Sequence, residues 1–138
     1  MFTKEFTFTD YRGQEKKASY TFSLEKDELL VLELGNYGGL RYSMKKWMNQ
    51  KRPDKVLDLL QKVVLSAVGE ISPDGSSFYK TEQIREEFKQ TKVFHDLMFQ
   101  MMNEENAFQD FMMQAIPAEM AANISEADIK AVVESAGT

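Results

Sequence analysis

The sequence predicts an α+β fold: an N-terminal two-stranded antiparallel β-hairpin packed on a mostly α-helical body of about five to six helices. Three observations carry this expectation. Apolar residues alternate at period two through residues 2–24. From Glu25 onward they recur at intervals of three and four. Capping and breaking residues then divide that helical pattern into short pieces.

In the first stretch Phe2, Phe6 and Phe8 share one parity, with mostly polar residues on the other. Beyond a break at Asp10 to Gly13, the alternation resumes with Ala18, Tyr20, Phe22 and Leu24 on one side. Aromatic enrichment and an intervening glycine read as a hairpin. Two strands alone are marginal in water, so this aromatic face is expected to pack on the helices.

Ser23 or Glu25 is placed to cap a short helix carrying Leu29, Leu30, Leu32 and Leu34, with Gly35 as its stop. A loop through Gly39 leads to a second helix with Leu40, Met44, Trp47 and Met48 at helical spacing, ending near Asn49 to Arg52. Pro53 suits the first turn of a third helix. Its stripe is Val56, Leu59, Leu60, Val63, Val64 and Ala67, and Gly69 is positioned to end it. Ile71 to Gly75 is a turn. Thr81 caps a short helix with Ile84, Arg85 and Phe88, and Thr91 caps another with Val93, Phe94, Leu97, Met98 and Met101. Asn103 is the expected cap of the next, with Glu104 and Glu105 in its first turn and a stripe from Ala107 to Ile116, stopped at Pro117. A weak last helix is expected over residues 126–134. The whole reads as a single domain over residues 1–120, with a hairpin at about 2–24 and a helical body at about 25–117. Residues 121–138 read as a weakly helical or frayed tail.

Composition narrows the class. With 138 residues, 43% hydrophobic, 12% aromatic and a mean hydropathy of −0.44, the chain is expected to be a one-domain, soluble, cytoplasmic protein. No apolar run approaches the ~20 residues that span a bilayer, and the start lacks a signal-peptide core. There is no cysteine, hence no disulfide, thiolate nucleophile or thiolate metal ligand. The net charge of −5 is uneven. Residues 1–62 hold twelve Lys/Arg against nine Asp/Glu, and residues 63–138 hold five against thirteen. The basic part clusters at Lys45, Lys46, Lys51, Arg52 and Lys55, which reads as a solvated helix face rather than a nucleic-acid site.

No catalytic set, cofactor site or metal site emerges. The loop from Gly35 to Gly39 lacks the spacing of the nucleotide fingerprints and follows no strand. The single histidine, His95, has no convergent partners. Glu86-Glu87 and Glu104-Glu105 are adjacent pairs that diverge on a helix. The turn at Asp74 begins like a calcium loop but has no later Glu at the required spacing.

Methionine is the anomaly: nine occur, six of them between Met98 and Met120. Met98, Met101 and Met112 lie on core stripes. At about 100° per residue, Phe99 points away from its helix's stripe, and Met102 and Met113 fall outside theirs. Exposed large apolar groups without a use are a solubility liability. Phe99, Met102 and Met113 are therefore the candidate partner-binding residues, the alternative being cover by a neighbouring helix or a second subunit.

The ordered set of segments resembles the small tail assembly chaperones of long, flexible-tailed bacteriophages, especially those of Gram-positive hosts. Four segments carry the resemblance, across residues 2–117. They are Phe6 to Gly13 with the returning strand Tyr20 to Leu24; Lys26 to Leu29 leading to Gly38-Gly39-Leu40; Val63 to Gly69 followed by Ser72 to Phe78; and Phe88 to Thr91 followed by Phe94, Leu97 and the helix of Ala107, Phe108 and Phe111. The chain departs from the family at Glu25, where a Ser or Thr cap is usual, and in its heavier Met98 to Met102 run.

The resemblance implies a non-enzymatic morphogenesis factor of the host cytoplasm, absent from the finished virion. It would coat and solubilise the hydrophobic, helical tape measure protein and help recruit major tail tube subunits. It would bind neither nucleic acid nor membrane. Self-association and a longer frameshifted form are also compatible with the family. The alternative is a small helical phage or bacterial adaptor that binds and regulates one host protein; it would bind a single partner stoichiometrically, whereas a tape-measure chaperone binds in several copies along one chain.

Overall fold

A computed structural model describes residues 1–104 and 106–117. The expected tail at 121–138, with its helix at 126–134, lies outside the described residues. Strands β1 (Phe2–Thr9) and β2 (Glu15–Phe22) are followed by helices α1 (Lys26–Leu34), α2 (Leu40–Asn49) and α3 (Pro53–Ala67). Strands β3 (Val68–Ile71) and β4 (Phe78–Tyr79) come next, then α4 (Glu82–Lys89), α5 (Lys92–Asn103) and α6 (Ala107–Ala115). The fold is α+β, with six helices among the described residues and the N-terminal antiparallel hairpin that the alternation predicts.

That hairpin pairs Phe2 with Phe22 and Phe6 with Ala18, which puts the even-numbered residues on one face. Its turn is held by Asp10, whose carboxylate accepts the backbone N–H groups of Arg12 and Gln14 at 2.9 and 2.8 Å and pairs with Lys16 at 2.9 Å. Gly13 supplies the left-handed residue, at φ 86°.

The sheet has four strands, not two. In the order β1-β2-β3-β4 every neighbouring pair is antiparallel, so β2 is an interior strand. The sequence hides β3 because Val68 continues the apolar stripe of α3 without a break. Gly69 is not the helix stop expected of it. The helix ends as Val68 turns extended (φ −67°, ψ 138°), and Gly69 pairs with Thr21 inside the strand. Glycine is required there by close approach: a Cβ would lie 2.6 Å from the Tyr79 carbonyl oxygen and against the Phe78 ring. The Ser72 to Ser77 turn joins β3 to β4, with Asp74 accepting the Ser72 hydroxyl, the Ser76 hydroxyl and the Ser76 N–H at 2.7, 2.8 and 3.0 Å.

Most helices follow their predicted stripes. In α3 the buried set is Val56, Leu59, Leu60, Val63, Val64 and Ala67, and in α5 it is Val93, Phe94, Leu97, Met98 and Met101. Thr81 and Thr91 cap α4 and α5, accepting the N–H groups of Ile84 and Phe94 at 3.1 Å each. In α1 Leu29 and Leu32 are buried, while Leu30, Val31 and Leu34 are exposed, because one side of this nine-residue helix meets the body. One expected cap is corrected: Asn103 does not cap α6; it ends α5, where its side-chain amide donates to the Phe99 carbonyl at 2.9 Å, and Glu104 forms the C-cap. The residue preceding α6 is Asn106.

The core centres on Phe22, which is fully buried. Its ring lies 5.4 Å from Phe2, 5.1 Å from Phe111 and 5.7 Å from Phe88, joining β1, α6 and α4 at one point. Such offset and edge-on pairs add to simple burial. The C-terminal end of α6 is tied to the same strand, as the Ala115 carbonyl accepts the Leu24 N–H at 2.9 Å. Truncating Phe22 to alanine is expected to cost ~3–5 kcal/mol, typical of a core aromatic, and to lower the melting temperature by roughly 10 °C or more. Thermal denaturation followed by circular dichroism measures it; a shift of only a degree or two would place Phe22 outside the load of the core.

Candidate partner-binding groove

A groove of about 830 Å³ runs between α2, the α2–α3 junction, the end of α5 and α6. Six methionines among the described residues line it: Met44 and Met48 from α2, Met101 and Met102 from α5, Met112 and Met113 from α6. The three helices bring together side chains more than fifty residues apart in the chain. Buried Leu29 and Val56 form part of its inner lining, and half-buried Trp47 and Phe108 add aromatic surface. Thioethers on three rotatable bonds adapt to differently shaped apolar partners.

Cations stand around this apolar surface. Arg41, Lys45, Lys51 and Arg52 line the groove, against one carboxylate among the described residues, Glu33. The Arg41 guanidinium approaches the Met113 sulfur at 4.0 Å. The Trp47 ring has the Lys46 and Lys55 ammonium groups 4.7 and 5.8 Å from its centroid. Arg52 holds Asp54 through two bonds of 3.0 and 2.9 Å. Those bonds are the main reason that the Asp54 carboxyl is lowered to about 2. Glu33 is used internally, accepting the Leu40 N–H at 3.3 Å at the start of α2.

The predicted residues divide. Met102 and Met113 both line the groove; Met102 is exposed and Met113 half-buried. Phe99 is 72% exposed and lies outside the lining, three residues before Met102 along α5. The sequence places Met44, Trp47 and Met48 at helical spacing, and of these Met44 is buried. The structure leaves Trp47 half-buried and Met48 48% exposed. Their exposure is foreshadowed only by the lysines interleaved with them. His95 sits against Phe94 at 5.6 Å, and no group of three or more His, Cys, Asp or Glu side chains suited to a metal occurs among the described residues. No helix among the described residues is long and apolar enough to cross a membrane.

An adaptable apolar trough with a charged rim is a surface of the kind that amphipathic helices occupy. The phage tail assembly chaperone family matches residues 1–137, and the chain belongs to that family. Neither a curated protein nor a solved structure matches the chain. Membership implies a non-enzymatic role in the infected cell, with partners among phage tail proteins.

The Asp54–Arg52 pair at the rim has a defined pH window. A depressed carboxylate contributes stability above its ordinary value of 3.8, and that contribution is lost as pH falls through about 2. Carboxyl NMR titration is expected to find the Asp54 midpoint near 2, with Arg52→Gln returning it toward 3.8. A wild-type midpoint at the ordinary value would mean that the pair does not form in solution.

Proposed function

We propose that this protein binds and solubilises the phage tape measure protein in the host cytoplasm, helps recruit tail tube subunits, and is absent from the finished virion. The methionine-lined groove is the observation that supports this reading. A tape measure presents long apolar helical stripes, and the groove offers an adaptable apolar surface lined by methionines from three helices. Phe99, standing one turn before Met102 on the outer side of α5, extends that surface beyond the groove.

The energetics suit a temporary hold. Each apolar side chain moved fully out of water contributes ~1.5–3 kcal/mol. Three or four of them from one helix are set against association costs of ~4–15 kcal/mol. A single groove therefore binds weakly and reversibly, and several copies along one chain are needed to cover it. Such a coat can be displaced as tube subunits polymerise.

Co-expression with the cognate tape measure is expected to keep that protein soluble, with several copies of the chaperone co-purifying per chain by mass measurement. Met48→Ser with Met102→Ser is expected to leave the melt nearly unchanged and to reduce recovery of soluble tape measure. Phe99→Ser tests whether the gripping surface reaches past the groove. A tape measure that stays insoluble with the wild-type protein in excess would falsify the proposal.

A further inference from the structure

The groove's charge opposes that of the molecule carrying it. The chain as a whole has a net charge of −5, yet among the described residues the groove is lined by Arg41, Lys45, Lys51 and Arg52 against Glu33. The anion, Glu33, is engaged at the start of α2, and Arg52 is engaged with Asp54. Lys45 and Lys51 make no ion pair among the described residues. Both line an apolar trough, where a bound helix would exclude water and strengthen any charge pair.

The backbone at Lys51 is a second, independent observation. Lys51 is the only non-glycine residue with positive φ among the described residues, at 55°. It closes α2: its N–H donates to the Met48 carbonyl at 3.1 Å, and the Arg52 N–H donates to the Trp47 carbonyl at 2.9 Å. In this double closure the left-handed position usually belongs to glycine, which occupies it without strain. Here a lysine holds it, at a position that lines the groove. Strained backbone of this kind clusters where proteins bind something.

We infer that the groove selects acidic amphipathic helices: segments whose apolar stripe enters between α2 and α6 while flanking Asp or Glu carboxylates meet Lys45 and Lys51. This rests on the reading of the groove as the tape-measure grip and adds which segments of that partner it takes. The methionines supply tolerance of shape, and the rim supplies preference for charge. Helices with basic flanks are rejected by the same ammonium groups. Nucleic acid is disfavoured, because the interior of the groove is thioether and aromatic, and the surrounding molecule is negative.

Trp47, the only tryptophan, lines the groove, so its emission reports occupancy. The full chain is titrated with three synthetic peptides of about 18 residues that share one Leu/Phe stripe at helical spacing and differ only in flanks of Glu, Gln or Lys. The Glu peptide is expected to bind about tenfold or more tighter than the Lys peptide at low salt, with the ratio collapsing at about 0.5 M salt. Lys45→Gln should reduce that ratio severalfold. Lys51→Gly should do the same while the melt stays unchanged or rises, because glycine relieves the left-handed strain that lysine carries.

Equal binding of all three peptides would overturn the charge preference and leave the groove reading intact. Binding by none of them would defeat both. Undiminished preference in Lys51→Gly and Lys45→Gln would also overturn the inference, as would a DNA duplex that displaces the Glu peptide. A Trp47 signal that changes with protein concentration alone, with no peptide response, would assign the groove to a second copy and overturn it too.

Discussion

The burial of one aromatic ring, Phe22, is the constraint on which the rest of this structure depends. It sits at the end of β2, opposite Phe2 in the hairpin register, and its ring reaches both Phe88 of α4 and Phe111 of α6. Tyr20, two residues earlier on the same face, lies 4.8 Å from Phe88, which in turn lies 5.7 Å from Phe94 of α5. A two-stranded hairpin has little stability of its own. Here it is held from two directions, by aromatic packing on its face and by β3 along the open side of β2.

That anchoring sets the walls of the groove. Phe111 and Ala115 fix α6 to the sheet, leaving Met112 and Met113 to turn toward α2. In the same way Phe94 and Leu97 seat α5 in the core, while Met101 and Met102 at its far end reach the groove. Phenylalanine and β-branched residues meet in the core, and the flexible thioethers of methionine meet at the groove.

Charge is divided along the same line. The second half of the sequence is acidic, and the basic first half delivers Lys45, Lys51 and Arg52 to the α2–α3 junction at one end of the groove. At that junction Lys51 takes a backbone conformation that favours glycine, and Arg52 is matched by Asp54. The local rules of helix termination are broken at this point, beside the surface with the most evident capacity to bind. Breaches of this kind are expected where binding rather than stability governs the choice of residue.

Much of this was legible from residue order alone, because it rests on local periodicity. The alternation of Phe6, Phe8, Tyr20 and Phe22 determined the hairpin, and the stripes Val56 to Ala67 and Val93 to Met101 determined the two longest helices with their buried faces. Thr81 and Thr91 marked helix starts because a hydroxyl satisfies an N–H that nothing else in the chain reaches. The ordered segments also determined the family. Tertiary structure alone decided three further things. It made Val68–Ile71 a strand, since an edge hydrogen bond to Thr21, 48 positions away, leaves no periodic trace in four residues. It exposed Leu30, Val31 and Leu34, since a stripe shows which residues share a face but not whether anything covers it. And it gathered Met44 and Met48 with Met102 and Met113, because a groove is a space between helices, and periodicity within one helix carries no information about the distance to the next.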